Sequence, residues 1–221
     1  LSVIPWSFSK IKAFEQCPKQ FYHMKIARDY VESETEAMLY GTAFHTAAEE
    51  YIRDNKPMPL QFGYAVAALD RLRAKQGNKL CEYKLGLTKD LEPCGFSDED
   101  VWFRGIADLI ILDEDVAWVV DYKTGKSARY ADKGQLELMA LVVFKHFPQV
   151  ETVKAGLLFV VSKNLIKDVY TKEQVPALWE KWLADYSKME QAFKNDVWNP
   201  KPSGLCRRHC AVVECAHNGR N

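Results

Sequence analysis

Residues 106–112 (IADLIIL) and 116–120 (VAWVV) are two apolar runs separated only by Asp113, Glu114 and Asp115. Acidic residues between two runs rich in β-branched side chains make a tight turn, so a buried antiparallel hairpin is the element this chain can least avoid. Three ionisable residues interrupt its apolar character: Asp108 inside the first run, and Asp121 and Lys123 at the end of the second. An unpaired ion inside a protein costs several kcal/mol or more, so the placement calls for a reason.

Register supplies one. With the turn centred between Glu114 and Asp115, residues facing each other across the hairpin have numbers that sum to 229. Asp108 then lies opposite Asp121, and directly opposed residues share a face with about 5 Å between their Cβ atoms. Strand side chains alternate, so Asp121 and Lys123 share that face too. Two carboxylates this close repel unless a cation lies between them or one keeps its proton, which points to a metal or a functional proton. A solvated Asp–Lys ion pair at a strand end is the plain alternative for Asp121 and Lys123 alone.

Around the hairpin the periodicities are readable. Phe8, Ile11, Phe14 and Cys17 recur at helical spacing with Ser7 as N-cap, and Pro18 ends or kinks that helix. Residues 34–55 predict a helix whose broad apolar face holds Leu39, Phe44, Ala47, Ala48, Tyr51 and Ile52. Residues 59–77 predict another, closed by Gly77. A strand over 79–88 carries Glu82; a helix over 134–148 stops at Pro148; strands follow near 153–162 and 165–171. A long helix over 175–196 leads to a tail with three cysteines. The order predicts an α/β domain, helices packed on a mixed sheet.

Thirty basic residues offset thirty acidic ones, so a nucleic-acid partner would have to be held by a local patch. No apolar run of about 18 residues exists, so no membrane span is expected. Pro5 inside a very short apolar start argues against a signal peptide, and the missing initiator Met suggests a trimmed fragment. Six cysteines in 221 residues do not read as a secreted disulfide scaffold, which favours an intracellular protein.

"GIAD", a hairpin and "DYKTG" together resemble the core of the PD-(D/E)XK nuclease superfamily, in its RecB-like exonuclease branch. "YGTAFHTAAEEY" resembles that branch's upstream helix, with Gly41 and a metal-binding His45, and Glu82 falls where many members carry a strand glutamate. "GQLELMALV" resembles its Q-x-x-x-Y helix with Met139 in place of the Tyr, and "SFSKIKAFEQCPKQFYH" resembles its N-terminal opening. Read without the resemblance, His45 and Glu49 merely decorate a helix, Glu82 is a solvated strand residue and Gln135 an ordinary helix-start polar residue.

The resemblance implies one nuclease domain over residues 1–221: a restriction-endonuclease-like core at about 78–170, N-terminal helices over 7–77, and a C-terminal helix with a cysteine tail over 171–221. It implies Mg²⁺ or Mn²⁺ held by His45, Asp108, Asp121 and the carbonyl of Tyr122. Lys123 would orient water or stabilise charge, Glu82 would complete the metal shell or bind a second ion, and Gln135 would position the water or Lys123. The expected activity is phosphodiester hydrolysis in DNA, most of all as an exonuclease in recombination, repair or phage DNA metabolism. A helicase or recombinase partner and a cytoplasmic setting, bacterial or phage-infected, go with it. The alternative is a DNA-binding or assembly module of the same fold that does not cut.

Cys206, Cys210 and Cys215 are spaced C-x3-C-x4-C. Several RecB-like nucleases join one N-terminal cysteine to three C-terminal ones around a 4Fe-4S cluster, and Cys17 stands at that first position. The usual tail is C-x2-C-x5-C, so the middle ligand is displaced by one residue here. His209 and His217 keep zinc open as an alternative, and unligated thiols remain a third. Cys81 and Cys94 read as packing or loop residues. Lys201, Arg207, Arg208 and Arg220 in the tail, with Lys123, Lys126, Arg129 and Lys133, offer phosphate contacts, and Tyr122, Tyr130 or Trp198 offer stacking surfaces.

Overall fold

The computed structural model describes residues 4–31, 33–129 and 131–219. In chain order its elements are α1 (Phe8–Gln16), α2 (Pro18–Phe21), α3 (Glu36–Arg53), α4 (Val66–Ala74), β1 (Asn78–Leu87), β2 (Pro93–Cys94), β3 (Phe103–Asp113), β4 (Val116–Lys123), α5 (Gly134–His146), β5 (Thr152–Phe159), β6 (Asn164–Thr171) and α6 (Val175–Asn195). The chain divides into two units: Thr35–Trp179, which holds the sheet, and a terminal unit of Leu1–Glu34 with Glu180–Asn221.

The six strands are ordered β2-β1-β3-β4-β5-β6. All neighbours are antiparallel except β4 and β5, which run parallel and are joined through α5. Between β3 and β4 the pairs run from Asp113 with Val116 to Leu109 with Val120, every pair summing to 229. Glu114 takes φ 52° in the two-residue turn. Alternation then sorts the hairpin onto two helix layers. Leu109, Ile111, Val120 and Tyr122 pack with Phe44, Ala47, Ala48, Tyr51 and Ile52 of α3 and with Leu69 of α4. The opposite face carries Asp121 and Lys123 towards α5, where Gln135 meets both.

β1 and β3 pair with numbers summing to 190, from Asn78 with Leu112 to Leu87 with Phe103, yet Glu82 and Asp108 are skipped. Glu82 has φ 46°, a left-handed backbone that a glutamate adopts only under strain. The strand changes its facing there. Cys81 packs with the α3 cluster, whereas Tyr83, two residues on, meets Phe147 at the end of α5 with ring centroids 6.0 Å apart. In β3, Leu109 faces α3, while a methyl group at Gly105 would lie 3.3 Å from Met139 of α5.

Two helix expectations need correction. Leu39 is not part of the buried face: it is 54% exposed, because burial along α3 starts only at Phe44. Residues 59–77 are not one helix closed by Gly77. Pro59 and Gly63 favour a tighter opening, Leu60–Ala65 is 3₁₀, and α4 ends at Ala74. Gly77 serves the strand instead: at φ 116° a Cβ would sit 2.4 Å from the Leu112 carbonyl oxygen.

In the terminal unit the Ser7 hydroxyl caps α1 by accepting from the Lys10 N–H at 3.3 Å. Pro18 breaks the helix, α2 restarts at it, and a π-helical turn follows over Tyr22–Ala27. Phe14, Phe21, Phe193 and Trp198 form an aromatic cluster with centroids 4.9–6.5 Å apart. The two ends of the chain are pinned together: the Lys19 N–H donates to the Asn199 carbonyl at 3.3 Å and the Lys201 ammonium to the Glu15 carbonyl at 2.7 Å. No helix among the described residues is long and apolar enough to cross a membrane.

Candidate metal and active site

Three carboxylates come together on three neighbouring strands. Glu82 and Asp108 sit where the β1–β3 ladder is interrupted, and Asp108 and Asp121 stand one residue beyond the last β3–β4 pair, Leu109 with Val120, near enough for the Asp108 charge to act on Asp121. His45 reaches the row from α3, its Nδ1 lying 3.3 Å from Asp108 and 3.4 Å from Glu82. The ligand atoms of His45, Glu82 and Asp108 all lie within 4.8 Å of one another. Asp108 is 9% exposed, and its other oxygen accepts the Tyr122 N–H at 2.6 Å.

Asp121 stands on the other side of the row. One oxygen accepts from the Gln135 amide; the other lies 2.7 Å from the Lys123 ammonium without an aligned hydrogen bond. Gln135 also accepts from Lys123 at 2.9 Å, so one amide at the start of α5 fixes both groups. Met139, one turn further along α5, packs beside Gly105 as an apolar contact.

Electrostatics follow from this crowding. Burial pushes His45 down, but hydrogen bonds and attraction from Asp108 and Glu82 outweigh it and lift the imidazole to about 10. Burial and the Asp108 charge raise Asp121 to about 6, against the pull of Lys123 and His45. Three carboxylates around one imidazole form a cluster that favours added positive charge, and Asp121 keeps a buried oxygen lacking an aligned donor. Hard oxygen ligands with one imidazole suit Mn²⁺ or Mg²⁺. The residues present therefore fit a divalent cation.

The expected site residues His45, Glu82, Asp108, Asp121, Lys123 and Gln135 converge here. Tyr122 joins through its backbone, while its ring is buried against Phe44 and its hydroxyl is enclosed. Tyr122 is therefore no stacking surface, and Trp198 is committed to the aromatic cluster of the terminal unit. Tyr130 and Arg220 lie outside the described residues. Lys126 and Arg129 are exposed on the segment after β4, and Lys133 pairs with Asp168 at 3.2 Å.

The comparisons bear on this arrangement. The model of the PD-(D/E)XK nuclease superfamily matches residues 5–215. This chain belongs to that superfamily. Among solved structures, a protein described as a putative exonuclease from Eubacterium rectale superposes with a TM-score of 0.59 at 11% identity, over 96% of this chain and 88% of that one. SSO0001 gives a TM-score of 0.47 at 14% identity, over 99% of this chain and 89% of that one. No curated protein matches. Membership in the superfamily makes this chain a nuclease, a hydrolase of phosphodiester bonds.

The terminal unit holds the second candidate. Cys17, Cys206, Cys210 and Cys215 line one pocket together with His217 and Asn218. No disulfide joins cysteines among the described residues. Cys17 Sγ accepts the Gln20 N–H at 3.5 Å and the Lys201 N–H at 3.4 Å, and Cys206 Sγ accepts the Ser203 N–H at 3.4 Å. Sequence reasoning missed Asn218, which is buried and donates to the carbonyls of Cys210 at 3.2 Å and Val212 at 2.8 Å. A lone asparagine near a chain end carries no signal; its role appears only once the loop is closed. Among the described residues, no three of these thiols and imidazoles bring ligand atoms within 4.8 Å of one another.

Proposed function

We propose that the chain is a Mg²⁺- or Mn²⁺-dependent deoxyribonuclease that removes nucleotides from DNA ends, in recombination, repair or phage DNA metabolism. The observation that carries the reading is the group of Glu82, Asp108 and Asp121 with His45 and Lys123, its three acids carried on neighbouring strands rather than on loops. His45, Glu82, Asp108 and Asp121 would hold the cation. The Tyr122 carbonyl would join them, since within a strand it points to the same side as the N–H that already meets Asp108. When bound, the ion supplies Lewis acidity that offsets phosphate charge and acidifies water.

The remaining work falls to the chain. Hydrolysis adds the oxygen of water to phosphorus and expels one ester oxygen, which leaves with a proton. Lys123 places an ammonium beside Asp121, where it attracts a phosphate oxygen and stabilises the charge that builds in the transition state. Gln135 keeps that ammonium and the Asp121 carboxylate in one orientation, so neither must reorganise during the reaction. In the terminal unit Cys17, Cys206, Cys210 and Cys215, which line one pocket, would hold a 4Fe-4S cluster.

Purified protein with Mn²⁺ or Mg²⁺ is expected to release mononucleotides from end-labelled linear DNA and to leave closed circular DNA intact. Asp121→Ala and Lys123→Ala are each expected to lower the rate by about 10³-fold or more while the chain stays folded, as judged by a retained cooperative melt. Variants that cut as fast as the parent would show the site to be misassigned; nicking of circles would replace the exonuclease mode with an endonuclease one.

A further inference from the structure

β6 is the last strand of the sheet, with β5 on one side and no strand on the other among the described residues. In an antiparallel pair, alternate residues turn both N–H and C=O to the partner and the rest turn both away. Odd-numbered residues of β6 are the ones that turn away. The Val169 N–H donates to Oδ1 of Asp168 at 3.0 Å and the Thr171 N–H to Oε1 of Gln174 at 2.9 Å, whereas the Lys172 N–H meets the Glu151 carbonyl on the β5 side. Side chains thus close the outer edge at Val169 and Thr171. The outward N–H groups of Leu165 and Lys167 have no acceptor among the described residues.

The same odd-numbered residues share one face of the sheet. Directly opposed residues also share a face, so Leu165, Lys167 and Val169 stand beside Leu158, Gly156 and Lys154 of β5, and Lys154 stands beside Trp118 of β4. Leu158 and Trp118 still touch the α3 cluster. Beyond them the face is open: Leu165 is 52% and Val169 51% exposed, and Lys154 and Lys167 are exposed too. Leu165 leans over Gly156, where a Cβ would lie 2.9 Å from its Cδ1, so Lys167 meets no side chain across the strand. Lys154 has its ammonium 5.5 Å from the centre of the Trp118 ring, an aromatic rather than an acidic neighbour. Asp168 points to the opposite face, where Lys133 takes it at 3.2 Å.

We infer that β6 is a docking edge for an extended segment of a partner protein, one that carries an acidic residue between two apolar residues at alternate positions. Such a segment adds a short strand by bonding the open backbone groups of Leu165 and Lys167. Its acid then faces Lys167, and its apolar residues face Leu165 and Val169. Charge complementarity chooses this occupant over a second copy of the chain. Two copies related by a two-fold axis join their edges antiparallel with the same face forward, so Lys167 would be opposed by an odd-numbered residue. Leu165, Lys167, Val169 and Thr171 include no acid, and Lys167 against its own copy repels. The inference is independent of what the carboxylate site does.

The test is selection of displayed random heptapeptides on the full chain, read as residue frequencies at each position. The parent is expected to enrich Asp or Glu at one position, with aliphatic or aromatic residues two positions away on either side. Lys167→Glu, an exposed change that leaves the fold intact, should turn the enriched acid into Lys or Arg. Labelled peptides of the enriched sequence, with Glu or Lys at the centre, then give affinities by fluorescence anisotropy. The parent should favour the Glu peptide about ten-fold and Lys167→Glu the Lys peptide by a similar factor, as cross-strand charge pairs of either sign differ by about that much. Leu165→Pro removes one outward N–H at a place where an edge strand tolerates proline, and should bind more weakly than Leu165→Ala, which keeps it. No enrichment, or a central preference that Lys167→Glu leaves unchanged, overturns the inference and makes Lys167 a guard against edge pairing. A parental dimer in sedimentation that Lys167→Glu alters also overturns it, giving the edge to a second copy. So does duplex DNA binding that is lost in Lys154→Glu with Lys167→Glu, which would give this face to nucleic acid.

Discussion

The carboxylate row and the cysteine pocket are both candidate metal centres, but they are assembled in opposite ways. The first is carried on three neighbouring strands of one sheet, with α3 and α5 each adding a side chain. The second joins Cys17 to Cys206, Cys210 and Cys215, across 189 or more positions in the chain, in turns and a single 3₁₀ segment. A site borne on a sheet keeps its shape when its ion leaves, whereas one borne on turns depends on its contents and a few hydrogen bonds. Losing the first should therefore cost chemistry, and losing the second should cost structure.

The largest break in that comparison comes from Cys17→Ala. Removing one ligand of a structural cluster should destabilise the terminal unit by about 3–5 kcal/mol, a magnitude like that of losing a disulfide. Pulsed proteolysis should then cut the terminal segments first while the sheet unit stays protected. The parent should absorb near 400 nm and the variant should not; identical spectra and protection would remove the cluster from the account.

Asp121→Asn sharpens the other side. The Asp121 carboxyl is raised to about 6, so the folded chain binds a proton more readily than the unfolded chain, and the ionised form opposes folding. That opposition is absent below pH 4, grows from pH 4 to 6 and is complete above. In chelator at pH 7 the variant should be more stable than the parent by roughly 1–3 kcal/mol, a gain that vanishes by pH 4. Urea melts at the two pH values measure it. A loss at pH 7 would mean that the Lys123 ion pair outweighs burial.

The smallest effect is expected from Asn218→Ala, which leaves the Cys210 and Val212 carbonyls without their donor. A cost of about 1–2 kcal/mol in the terminal unit, with faster loss of the 400 nm absorbance in chelator and no change in cutting by the sheet unit, is the expected pattern. An unaltered rate of bleaching would show that the cysteine loop does not rely on this amide.

How far the sequence reaches follows the same division. A turn of three acidic residues between apolar runs fixes a register, so the pairing of β3 with β4 in numbers summing to 229 was legible before any coordinates, although the paired residues end at Leu109 with Val120, one short of Asp108 and Asp121. The helices and strands that carry strong periodicity were legible as well. Leu39 was not, because periodicity reports a face without saying where its partner layer ends. Gly77 read as a helix cap because close approach to the Leu112 carbonyl is a tertiary fact. Tyr122 read as a stacking surface because aromatic type does not reveal burial. Nothing in a single chain distinguishes Asn218 from any other asparagine.

Glu82 remains the residue least expected from its surroundings, a glutamate at φ 46° in the middle of a strand. Glycine or asparagine would sit there with less strain, by about 1 kcal/mol. Under the proposed role of Glu82 in holding the cation, the acid stands against the preference of its own backbone, and stability and hydrolysis pull position 82 in opposite directions. A lineage relieved of the need to cut would have its first cause to drift at position 82.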